Sequence, residues 1–176
     1  GLICDITDDE SIQSAIHSGV AAFGGIDILV SNAGSFPESA TVENMKSDFL
    51  QKTMSINFNG HVSMMRACTP FLKLGHEASI VLMTSKNVPA PGPGAGAYSA
   101  AKSALTQMGR VAAMELGGAG IRVNMLHPNA VFDTGIWSEE VLKSRAASYG
   151  LSIEEYKRNN ILKTSITSHD VADLVV

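Results

Sequence analysis

Three short apolar runs set the terms for this chain: Ile26-Asp27-Ile28-Leu29-Val30, Ser79-Ile80-Val81-Leu82-Met83 and residues 121–126. Each is followed by turn residues, and segments of helical period separate them. Strands that alternate with helices are joined by crossovers, so they run parallel under a helical cover. Runs that are apolar throughout, rather than at every second residue, fit strands buried on both faces. The fold class expected is α/β, a doubly wound parallel sheet.

The intervening segments agree. Asp5-Ile6-Thr7 reads as a strand end entering a helix that Thr7 or Asp8 can cap. Ile12, Ile16, Val20 and Phe23 recur at helical spacing, and Gly24-Gly25 stops that helix. A long, broken helical region covers about 42–74, closed by Gly75. A glycine- and proline-rich loop over 89–96 precedes a helix over about 97–116, ended by Gly117-Gly118. Residues 137–159 are more polar and read as helix with a loop, a surface excursion within a single domain over 1–176. The chain opens on a strand tail and closes inside an apolar helical pattern (Val171, Leu174, Val175), so both ends read as cuts through a larger fold.

Composition excludes several function classes. The net charge is −4 with scattered cations, which leaves no footprint for nucleic acid or an anionic membrane surface. No apolar run reaches membrane-spanning length. Cys4 and Cys68 lack metal-ligand spacing and point to a reduced, cytoplasmic setting. His17, His61, His76, His127 and His169 show no ligand spacing either, so no metal is expected and they read as surface or core residues, with a ligand-contact role open for His127 at its strand end.

Asn32, Ser85 and the His127-Pro128 pair fall at the carboxyl ends of the three runs, where open α/β sheets bind ligands. Tyr98 and Lys102 share a helix face one turn apart. An ammonium nearby favours the phenolate and would lower the tyrosine pKa, making a general acid/base. Ser85 lies thirteen residues before Tyr98, with a loop able to fold back between them. Its hydroxyl could meet a substrate oxygen where charge develops. Asn57, in Ile56-Asn57-Phe58-Asn59-Gly60, sits mid-helix among poor helix formers, which predicts a local distortion that frees a carbonyl to hold a water.

Cys4-Asp5-Ile6-Thr7, Asn32-Ala33-Gly34, Asn57, Ser85 and Tyr98-Ser99-Ala100-Ala101-Lys102, in this order and spacing, resemble the classical short-chain dehydrogenases/reductases. The resemblance implies a Rossmann-like fold lacking its first strands and last strand, and hydride transfer between NAD or NADP and a small hydroxy or carbonyl compound. It implies that Tyr98 exchanges the proton, that Lys102 tunes Tyr98 and grips the nicotinamide ribose, that Ser85 orients the substrate, and that Asn57 anchors a water. Asp5 would meet the adenine, and Asn32, Ala33, Gly34, Pro128 and Val131 would line the cofactor. A homodimer or homotetramer built on the 42–74 and 97–116 helices is implied too.

The departures also carry information. Ser31 stands where the family usually has asparagine, Asn129 where it has glycine after Pro128, and Asp133 lies nearer than Thr134 to the usual cofactor-contacting threonine. The segments His127-Pro128-Asn129-Ala130-Val131-Phe132, Gly135-Ile136-Trp137-Ser138, Arg145-Ala146-Ala147-Ser148-Tyr149-Gly150 and Ile161-Leu162-Lys163 resemble the dehydrogenase part of bifunctional aldolase/short-chain dehydrogenases of deoxysugar (rhamnulose phosphate) breakdown. That implies lactaldehyde or a sugar-derived alcohol as substrate. Polyol and 3-oxoacyl thioester substrates are the rivals within the class. The rivals outside it are a non-catalytic scaffold, although a scaffold has no need of all four residues Asn57, Ser85, Tyr98 and Lys102, and a catalytically inactive Rossmann-like piece, since the family's glycine-rich phosphate turn is not within these 176 residues.

Overall fold

The computed structural model describes residues 1–36 and 38–175. The chain divides into two compact units, Gly1–His127 and Pro128–Val176.

The first unit holds a parallel sheet in the order β1 (Ile28–Ser31), β2 (Ser79–Met83), β3 (Arg122–Leu126). Leu29 is in register with Ile80, and Leu82 with both Ser31 and Met125. Helix α1 (Asp9–Phe23) begins where the Asp8 carboxylate accepts the amides of Glu10 and Ser11, and it ends at Gly24 with φ at 87°. Cβ would strain that left-handed turn, so glycine is the natural stop. The expected strand end at residues 4–5 does not form. These residues carry no regular structure, because a strand needs a ladder partner and none pairs with them among the described residues.

The 42–74 region is broken as its composition predicts. A 3-10 turn (Val42–Asn44) precedes α2 (Ser47–Met54), a π turn (Ser55–Asn59) and α3 (Gly60–Leu72). Asn57 sits at the centre of the π turn. A π turn is a single-turn bulge that often marks functional sites. Gly60 has a reason that helix propensity does not supply: a Cβ there would lie 2.7 Å from the Ile6 carbonyl oxygen. The segment before α1 therefore rests directly on the helix backbone.

Helices α3 and α4 (Gly96–Gly117) pack on one face of the sheet, over Leu29, Ile80 and Leu82. At Gly109 a Cβ would meet Leu82 Cδ1 at 3.0 Å, so α4 lies close against β2. Ile80, Leu82 and Leu105 are each 0% exposed, worth about 1.5–3 kcal/mol apiece on the usual area scale. Burial on both faces holds for β2, the central strand. It fails for the edge strand β1, where Ile28 is 64% and Val30 45% exposed on the face turned away from α3.

The second unit contains α5 (Glu139–Ser148), α6 (Ile153–Lys157) and α7 (Ser168–Ala172). Capping boxes at Ser152/Glu155 and Thr167/Asp170 start the last two. Phe132, Trp137 and Tyr156 form an aromatic cluster, with ring centroids of the first pair 4.9 Å apart.

Candidate active site

Ser85 follows β2, and the 89–96 loop folds back against residues 39–40, where the Ala40 amide donates to the Gly94 carbonyl at 3.0 Å. That return delivers Tyr98 and Lys102, on the first turns of α4, to the carboxyl end of β2. The Ser85 hydroxyl lies near enough to the Tyr98 phenol to favour its ionised form and accepts the Asn87 amide at 3.2 Å, and the Ser85 carbonyl is 3.1 Å from His127 Nδ1. The Tyr98 ring packs on Phe36 with centroids 4.8 Å apart. Lys102, 3% exposed, reaches past that ring to donate from Nζ to the Met83 carbonyl at 2.8 Å. Its other two ammonium donors have no protein partner among the described residues.

Burial governs the electrostatics. Desolvation drops the Lys102 pKa to about 8. It raises that of Tyr98 above its ordinary value, and the Ser85 hydroxyl only partly opposes the rise. This corrects the sequence expectation of a lowered phenol pKa. The ammonium is 5.9 Å from the ring centroid and spends a hydrogen bond on a backbone carbonyl instead of the phenol.

Asn57, 0% exposed, works through its side chain. Oδ1 accepts the Ser35 amide at 3.2 Å, while Nδ2 donates to the carbonyls of Ser35 at 3.0 Å and Thr53 at 3.1 Å. It thereby clamps the turn that leaves β1. Within that turn Asn32, Ala33 and Gly34 are exposed, and a Cβ on Gly34 would be 3.2 Å from Asn57 Oδ1 and 3.8 Å from Lys102 Nζ. Asn57, Gly34 and Lys102 thus meet at one place, with Tyr98 and Ser85 beside Lys102.

The remaining expected positions fare differently. Asp5 is exposed, and one carboxylate oxygen accepts the Thr7 amide and hydroxyl, holding its pKa below the ordinary value. Pro128 and Val131 belong to the second unit, where Val131 bridges to Ile166. The Asp133 carboxylate is taken up by the amide and hydroxyl of Ser168, and the Thr134 hydroxyl donates to the Val131 carbonyl at 2.8 Å. Asp27 is structural, accepting the His76 amide at 2.6 Å.

Comparison with known proteins places this geometry. Residues 2–176 match the family model described as enoyl-(acyl carrier protein) reductase. A protein of Arabidopsis thaliana, short-chain dehydrogenase reductase 5, is 34% identical across 80% of the chain. The chain belongs to the short-chain dehydrogenase/reductase family. It spans only part of its relatives: 55% of the Arabidopsis protein, and 26% of YuxG, an uncharacterized oxidoreductase of Bacillus subtilis that is 34% identical over 97% of the chain. Carveol dehydrogenase from Mycobacterium avium, solved in complex with NAD, is 28% identical and superposes with a TM-score of 0.87 over 97% of the chain and 64% of its own. The parallel α/β sheet is thus the Rossmann-like fold of this family.

One residue of this short-chain dehydrogenase/reductase escaped the sequence reading. His61, one turn after Asn57, is 0% exposed with Nδ1 2.7 Å from Ser31 Oγ. Burial, and then the Lys102 charge, push its pKa down to about 4, so it is neutral. The only sequence signal was a histidine on the same helix face as Asn57.

Proposed function

We propose that the protein is an NAD(P)-dependent oxidoreductase whose catalytic residues are Asn57, Ser85, Tyr98 and Lys102, within one domain spanning 1–176. The observation that carries this reading is the Ser85–Tyr98–Lys102 convergence at the end of β2, with two ammonium donors of Lys102 unspent beside the exposed 32–34 turn. A ribose diol needs such donors, and the Gly34 position, where a Cβ would crowd Asn57, leaves room for close backbone approach. These residues fit a nicotinamide dinucleotide, in line with the NAD complex of the carveol dehydrogenase.

When bound, the dinucleotide gives or takes the hydride. The Ser85 hydroxyl orients the substrate oxygen, and the Tyr98 hydroxyl exchanges a proton with it. Lys102 holds the ribose hydroxyls. Asn57 fixes the turn through its side chain and, as the family resemblance implies, anchors a water. Asp5, Asn32, Ala33 and Gly34 line the remainder of the cofactor within the first unit, and the family resemblance gives Pro128 and Val131 of the second unit a cofactor role of their own.

The substrate we favour is lactaldehyde or a sugar-derived alcohol, from the resemblance over 127–163 to aldolase-linked dehydrogenases. YuxG supports it in one respect: it matches nearly the whole chain yet is about four times as long, leaving most of that protein outside the match. The description of the matching family model favours an acyl carrier thioester as the second reading. Titrating NADH and NADPH by fluorescence, then assaying lactaldehyde, polyols and 3-oxoacyl carriers, separates these. Binding of at least one dinucleotide and turnover of the small aldehyde are expected. Absence of any dinucleotide binding would sink the reading.

We also propose a cytoplasmic homodimer or homotetramer built on α2, α3 and α4. Its support is family resemblance and the 75% exposed Met114 on α4. Sedimentation at micromolar concentration should give a dimer or tetramer, and a clean monomer would refute it.

A further inference from the structure

That reading leaves two buried side chains at the site without a role, Ser31 and His61. Ser31 is 6% and His61 0% exposed. The imidazole Nδ1 lies 2.7 Å from the Ser31 hydroxyl. Nε2 has no hydrogen-bond partner among the described residues. Filling this space with leucine would avoid burying a half-satisfied imidazole. What the imidazole adds is a bond to Ser31, the residue from which the turn departs. Asn57, four residues earlier on the same helix face, grips the fifth residue, Ser35, through both its amide and its carbonyl. One helix thus fastens the 31–35 turn at both ends, and Gly34 between them is held against Lys102 Nζ.

We propose that His61 is a positioning residue, paired with Ser31, that holds the 31–35 turn at the spacing from Lys102 that cofactor binding requires. It rests on the reading of residues 32–34 as cofactor lining. The imidazole reaches across from the helix to the Ser31 hydroxyl, which is itself buried. The pair touches no reacting atom, so it acts on affinity and not on the chemical step.

The test uses Ser31→Ala, His61→Leu, the double variant and His61→Asn, whose amide can occupy the Nδ1 position. Amide hydrogen exchange at residues 32–35 is measured without cofactor, and NADH dissociation constants and kcat are measured alongside. Each single variant should speed turn exchange and weaken NADH by about two- to tenfold, the factor that one net hydrogen bond supplies, with kcat held within about twofold. The double variant should be no worse than either single, because the two residues act as one unit. His61→Asn should restore both exchange and affinity. Ser31→Ala removes a single oxygen, so it decides the matter should His61→Leu not fold. Unaltered turn exchange beside normal NADH binding, or single effects that multiply in the double, would overturn the positioning role alone. Wild-type protein that binds no nicotinamide dinucleotide would overturn the cofactor reading, and with it the purpose assigned to the pair.

Discussion

Tyr98→Phe is expected to lower kcat by about 10²- to 10⁴-fold, the usual contribution of a positioned acid or base, while cofactor affinity stays within about twofold. The substitution keeps the ring against Phe36 and removes only the hydroxyl that meets Ser85. Because burial raises the phenol above its ordinary pKa, the protonated form persists through neutral pH. Carbonyl reduction, which needs that proton, should therefore be flat across neutrality. Alcohol oxidation, which needs a base, should climb toward alkaline pH. In Tyr98→Phe the residual oxidation should lose the climb. Steady-state rates in both directions from pH 6 to 10, with cofactor titration of the variant, decide it. Near-normal turnover by the variant would refute the proposed proton transfer, whatever the fold.

The fold was legible where local pattern and tertiary setting coincide. Residues 79–83 are apolar because β2 is central and buried throughout, and the poor helix formers around Asn57 announced a local distortion, which is the π turn. Other features depend on partners far along the chain. Gly60 answers to the Ile6 carbonyl, fifty-four residues upstream, and His61 to Ser31, thirty residues upstream. No periodicity encodes either. The four-residue spacing of Tyr98 and Lys102 gave their shared face, but not which acceptor the ammonium takes. It takes the Met83 carbonyl, so the phenol pKa moved opposite to the expectation. β1 reads as a buried run, yet only the face it turns to α3 is buried, and Ile28 and Val30 on the other face are exposed.

Lys102→Met probes the same site through linkage. Lys102 is 3% exposed, and its pKa falls from 10.5 to about 8 on folding. At pH 7 the lysine is protonated in both states, so the folded protein carries the cost of a poorly hydrated charge. Between pH 8 and 10.5 the unfolded chain binds the proton more tightly than the folded one, so stability rises with pH. Above 10.5 the amine is neutral in both states and the cost is gone. The whole excursion is worth about 3 kcal/mol at 1.36 kcal/mol for each unit. Methionine carries no proton, so its unfolding free energy should lack this rise. At neutral pH the variant gains by losing the charge and gives back about 1–3 kcal/mol by leaving the Met83 carbonyl without its donor. The decisive quantity is therefore the slope rather than the difference at one pH. Urea unfolding at pH 7, 8, 9 and 10 should bring the wild type up relative to Lys102→Met by most of that amount. NADH binding should be lost in the variant at every pH, since methionine offers no donor to a ribose hydroxyl. Parallel stability profiles would mean that Lys102 keeps its ordinary pKa in the folded protein, and a variant that binds NADH normally would remove Lys102 from the cofactor site.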